Sequence, residues 1–235
     1  MGEEWKEVKV GCVFAYETHM RFCRRSQETI EVVKAKEQSY TAYLGEPEPF
    51  AKLLTAEAER RGLYRAREQT GIADAAKWIW NVMRMCFPGV REIVDWHHAV
   101  SHIWQAAHLA FGVDSPRAKR WVKPREDALW KGQVHTVIED IEGLKTIVAD
   151  QAEQLQTEVG YFRNNAHRMR YQEFREDSCP IGSGTVESAC KQLVDARMRG
   201  SGMRWSRPGA ENMLALRCEY LSNRWDDAWL LTLAA

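Results

Sequence analysis

No two cysteines of this chain form a C-x-x-C pair. Cys12, Cys23, Cys86, Cys179, Cys190 and Cys218 stand apart, which argues against a zinc knuckle or a dithiol redox motif. Lone cysteines without a recognisable signal peptide point to a reducing cytosol. No apolar run approaches the length of a membrane span, so no membrane partner is expected. Net charge is also missing. The 33 Lys and Arg balance the 33 Asp and Glu, so any attraction to nucleic acid must come from local clusters. There is no low-complexity linker and no internal repeat.

What is present is 235 residues, 45% of them apolar, enough for one large domain or two small ones. Ten tryptophans are explained for the most part by core packing. "WKEVKVGCVFAYE" alternates through Val8, Val10, Cys12 and Phe14 and predicts a strand; "QSYTAYLG", residues 38–45, predicts a second. "EPEPFAKLLTAEAERRGL" predicts a helix, with prolines at its start, Phe50, Leu53, Leu54 and Ala58 at helical spacing, and Gly62 past its end. A short strand ending in "TGIAD" leads into a helix from about Ala75 to Phe87, and "VREIVDW" predicts another strand. Beyond His97 the pattern is helical. Val134, Val137, Ile141, Leu144 and Val148 form a seam that Gly143 divides into a helical hairpin, with a coiled-coil dimer as the alternative. The fold class expected is α/β, predominantly helical.

Four features carry possible chemistry. Asp74 stands where a strand turns into a helix, the place where open α/β sheets put functional groups; a plain helix cap is the other reading. "DWHHAVSH" supplies Asp95, His97, His98 and His102. His98 and His102 share a helix face at a spacing that suits zinc, yet no third ligand is evident, and hydrogen-bonded histidines explain the pattern equally. Glu187 follows Gly184 by three positions and suits the first turn of a helix capped there, with Lys191 four residues on as a partner. Asp195 reads as a solvated charge. "RMRGSGMRWSR" gathers Arg197, Arg199, Arg204 and Arg207 around Trp205, either as a solvated loop or as a nucleic-acid contact in which Arg forks meet phosphate and the indole stacks on a base.

Taken together, "WKEVKVGCVF", "DAAKWIWN", "DWHHAVSHIW", "YFRNNAHRMRY", "PIGSGTVESACKQ", "RMRGSGMRWS" and "ENMLALR" resemble the bacterial ISKra-family insertion-sequence transposases, relatives of the Mutator-like DDE transposases. The pieces run in the family's order from residue 5 to about 217. The resemblance implies an incomplete ribonuclease-H-like core with a large all-helical insertion: a partial core over 1–112, the insertion over 113–175 and core helices over 176–235. It implies DNA cleavage and strand transfer in transposition, with DNA (element ends and target) as partner and self-association on that DNA. Asp74 matches the family's second catalytic acid and Glu187 its third, together holding two Mg2+ or Mn2+ ions. Asp95 and His98 match its Asp-x-x-His signature. Lys191, Arg197, Arg199, Arg204, Trp205 and Arg207 would contact DNA.

The chain departs from this pattern in three places. No aspartate precedes Asp74, and Glu3, Glu4 and Glu7 are poorly placed to substitute for the family's first acid. Ala75 stands where the family has glycine. "REQTGIAD" is more polar than the family's strand. The expectation is therefore a truncated transposase, inactive by itself, with a non-catalytic DNA-binding remnant or a His-dependent metallohydrolase as alternatives.

Overall fold

Side chains alternate along residues 8–13, and in a computed structural model of the chain helices cover both of the resulting faces. The structure describes residues 7–23, 28–145, 148–227 and 229. Glu3, Glu4 and the Trp5–Lys6 start of the first expected strand lie outside them. The elements run β1 (Val8–Cys23), β2 (Glu28–Leu44), α1 (Pro47–Arg60), β3 (Thr70–Ala73), α2 (Lys77–Cys86), β4 (Arg91–Val94) and α3 (Trp96–Phe111). They continue with α4 (Pro116–Trp130), α5 (Val134–Glu142), α6 (Ala149–Asn165), α7 (Tyr171–Glu176), α8 (Gly184–Cys190), α9 (Ala196–Met198) and α10 (Arg207–Leu221). The fold is mixed α/β and predominantly helical. It divides into two compact units, one of Met1–Gln69, Trp78–Val90 and Ser183–Ala235, the other of Thr70–Lys77 and Arg91–Gly182.

In the first unit β1 and β2 pair antiparallel, with Val8 opposite Leu44 and Cys12 opposite Tyr40. The hairpin runs well beyond the two short strands expected. Its outer half mixes polar and apolar residues, and pairs such as Thr18 with Val33 and His19 with Val32 set β-branched residues into the ladder. On one face α1 supplies Phe50, Ala51, Leu54 and Ala58, α2 supplies Val82, and Phe87 follows just past α2. Gly11 is required on that face: a Cβ there would stand 2.8 Å from Leu54 Cδ1 and 3.2 Å from Phe50 Cζ. Lys9 is buried beside them, its Nζ 5.0 Å from the centre of the Trp78 ring and 3.2 Å from Glu7. On the other face Tyr40 and Leu44 meet Ala189, Leu193, Ala210, Leu214 and Cys218 from the C-terminal helices. The Tyr40 amide donates to Ser222 Oγ at 2.9 Å, which ties the sheet to the end of α10.

In the second unit β3 and β4 pair in parallel, Ala73 beside Val94. Ile93 and Val94 are fully buried. Asp95 caps α3 by accepting the His98 amide at 2.7 Å, and Ser115 caps α4 by accepting Ala118 N at 3.0 Å. Trp96 packs edge-on against Trp130 and Tyr171, each with ring centres 5.0 Å away. The expected helical hairpin forms: α5 ends at Gly143 and α6 packs back on it. Val134, Val137 and Ile141 are buried there, whereas Val148 is exposed and stands outside the seam.

Candidate functional site

Parallel pairing fixes where two of the expected acids emerge. Ala73 pairs with Val94, so Asp74 and Asp95 leave neighbouring strands at the same end, and Asp95 N donates to Ala73 O at 2.8 Å. Asp74 is exposed, and its Oδ1 accepts the Ala76 amide at 3.0 Å, closing a small turn ahead of α2. That turn holds Ala75 at a φ of 73°, the left-handed region. Only glycine enters that region without steric cost. Asp95 is 2% exposed.

Around these acids the second unit gathers an aromatic and ionisable cluster. His102 Nδ1 lies 2.6 Å from Glu158 Oε2. The His102 ring stacks on Tyr161, with ring centres 3.6 Å apart, and meets the His98 ring edge-on at 5.1 Å. The Tyr161 Oη is buried with no hydrogen-bond partner. Burial pushes its hydroxyl well above the ordinary phenol range, and the charges of Asp74, Asp95 and Glu158 push it further. Glu158 and Tyr161 escape sequence reasoning. The one signal is an acid three residues before an aromatic in an otherwise apolar stripe of α6, and nothing local pairs it with a histidine 56 residues away.

Glu187 belongs to the first unit. It is exposed on α8, whose N-cap is Ser183 rather than Gly184, so Glu187 occupies the fourth helical position. Its amide donates to Ser183 O at 3.0 Å. Lys191 opens a π-helical turn, Lys191–Asp195, that widens the helix at the point where the first sheet is covered. Such widened turns recur at functional sites. Lys191 and Glu187 form no ion pair with each other.

The segment after it is open to solvent. Lys191, Arg197, Arg199, Arg204, Trp205 and Arg207 are all exposed. Arg199 pairs with Asp195 at 3.1 Å and Arg207 with Glu211 at 2.8 Å, both in water-exposed positions. Arg197 has no carboxylate partner among the described residues. Trp205 Nε1 donates to Met198 O at 3.2 Å, which anchors the indole edge and leaves a face free.

The expected pair of Mg2+ or Mn2+ ions is corrected by this geometry. Among the described residues no three of His, Cys, Asp or Glu stand together so as to hold a metal. The carboxylates do not converge; each serves a local contact of its own. Asp74 accepts Ala76 N, Asp95 accepts His98 N and Glu158 meets His102. The same finding removes a zinc site at His98 and His102. Among the described residues no helix is long and apolar enough to cross a membrane. Comparison with family models, with curated proteins and with solved structures finds no match.

Proposed function

We propose that this chain binds DNA without cutting it, as a non-catalytic relative of the ISKra-family transposases. The observation that carries the reading is the exposure of Lys191, Arg197, Arg199, Arg204, Trp205 and Arg207 on one segment. Cations on such a segment displace condensed counterions from phosphates, and an exposed indole offers a stacking surface. Asp195 and Glu211 compete only as solvent-screened partners, whose pairing is worth little and yields to phosphate.

The catalytic part of the family's chemistry is not included. It needs carboxylates converging on metal, and among the described residues no three of His, Cys, Asp or Glu stand together so as to hold one. An incomplete ribonuclease-H-like core is part of the proposal. An antiparallel pair followed in sequence by a parallel pair, each only two strands wide among the described residues, supports it. A large all-helical insertion over α4 to α7, self-association on DNA and a bacterial cytoplasmic location belong to the same reading.

The test is fluorescence anisotropy of a labelled 30-base-pair duplex titrated with protein across salt concentrations. Binding should weaken steeply with salt. Neutralising Arg197 and Arg204 to Gln should lower the log–log salt slope by about 2, while Asp74→Ala leaves it unchanged. Absence of binding at low salt sinks the reading. Cleavage of duplex DNA by the purified chain with Mg2+ would overturn its non-catalytic part.

A further inference from the structure

A second cationic surface lies in the other unit, outside every segment considered so far. Between Asp114 and Glu126 the sequence holds Arg117, Lys119, Arg120, Lys123 and Arg125 and no acid. Ser115 and Pro116 start α4 at that point, so the run is helical from its first cation. Ala118, Val122 and Leu129 face the core, each at most 1% exposed. Helical geometry then turns Arg117, Lys119, Arg120 and Lys123 outward, and all four are exposed.

The cations differ in how far they are committed. Arg125 turns inward to Asp140 at 2.7 Å and covers the Trp121 ring. Lys123 meets Asp127 at 3.0 Å on the surface. The Arg117 guanidinium carbon lies 4.6 Å from the centre of the Phe111 ring, a stacking contact that leaves the charge unneutralised. Arg117, Lys119 and Arg120 have no carboxylate partner among the described residues. The first two turns of α4 thus present three unneutralised charges on a rigid element.

We propose that this face of α4 is a second DNA-contact surface, engaging the phosphates of a duplex through Arg117, Lys119 and Arg120. A membrane surface suits it poorly. Helices that lie on lipid bury an apolar face there, and the apolar side of α4 is already spent in the core. Duplex DNA needs no apolar face: cations spread over the outward side of a helix, here Arg120 flanked by Arg117 and Lys119, can meet its phosphates. The inference rests on the proposed DNA-binding reading for the identity of its ligand and concerns separate residues in a separate unit.

The test compares two variants of the full chain on the same duplex. One is Arg117→Gln/Lys119→Gln/Arg120→Gln and the other Arg197→Gln/Arg204→Gln. The α4 variant should bind about tenfold or more weakly at moderate salt, with its slope lower by about 2 to 3. Circular dichroism checks that it folds; if it does not, the Lys119→Gln and Arg120→Gln single variants replace it, each lowering the slope by about 1. Wild-type affinity and slope in the α4 variant overturn this inference, and weakening of the other variant alone leaves the function proposed above standing. Weakening of the α4 variant alone keeps this inference and overturns the assignment of the DNA contact to the segment of residues 191–207. Binding to vesicles rich in anionic lipid but not to the duplex overturns the assignment of the ligand.

Discussion

His102 Nδ1 and Glu158 Oε2 stand 2.6 Å apart, joining α3 to α6 inside the second unit. Both side chains are largely withdrawn from water, at 18% and 10% exposure, and Tyr161 covers the imidazole face. A contact this sheltered is a structural clamp, because losing one partner leaves the other desolvated and unpaired. His102→Ala and Glu158→Ala should each lower stability by about 1–3 kcal/mol. The double variant should cost less than their sum, with a coupling of about 1 kcal/mol. Urea denaturation of the four proteins measures it, and strictly additive losses would refute the clamp.

Ala75 offers a gain instead of a loss. Its φ of 73° places an L side chain in the left-handed region at the turn closed by Asp74. Relief of that strain outweighs the extra freedom glycine brings to the unfolded chain. Ala75→Gly should therefore raise stability by about 0.5–1 kcal/mol. An unchanged or lower urea midpoint would contradict this account of the turn.

These two cases mark what sequence reasoning reaches. Asp74 at a strand end, the division of the helical hairpin at Gly143 and the strand through Val8, Val10 and Cys12 were legible, since each follows from local periodicity or turn chemistry. The outer half of the β1–β2 hairpin was not, because its apolar and polar residues mix without regular alternation and pairing across the ladder makes them strand. Lys9 is buried because α2 brings Trp78 over it, a fact no local window contains. The metal expectation failed for a related reason. Residue type and order admit Asp74 and Glu187 to one metal site, but that no three of His, Cys, Asp or Glu stand together among the described residues is visible only in three dimensions.

Thiol chemistry follows from the first unit's packing. Burial pushes the Cys12 thiol up to about 12. Burial does the same to Cys218, again to about 12. At pH 8 about one molecule in ten thousand would carry the thiolate at either position, and the thiolate is the nucleophile. Iodoacetamide should spare both residues in the native protein and label both in urea. Peptide mapping reads the outcome, and native labelling at the unfolded rate would show that the C-terminal helices do not cover the sheet as described.

Acid sensitivity in the first unit should centre on Glu57, which is 8% exposed. Burial by itself raises its carboxyl, but hydrogen bonds from Arg60 and Ser39 and the charge of Arg224 outweigh it, so the net shift is downward. Arg224 Nη2 lies 3.3 Å from Glu57 Oε2 and also binds Glu219, which ties α1 to the residues just past α10. A carboxyl whose folded value is lowered binds its proton more readily once unfolded. Its contribution is complete above the ordinary carboxylate range and is lost as the pH falls through the lowered value. Glu57→Gln should destabilise the protein by about 2–3 kcal/mol at neutral pH, since it leaves Arg60 and Arg224 without their shared anion. The penalty should shrink steadily as the pH falls below the ordinary carboxylate range. Thermal melts of both proteins between pH 7 and pH 3 give the comparison, and a difference that stays constant across that range would rule out the linkage.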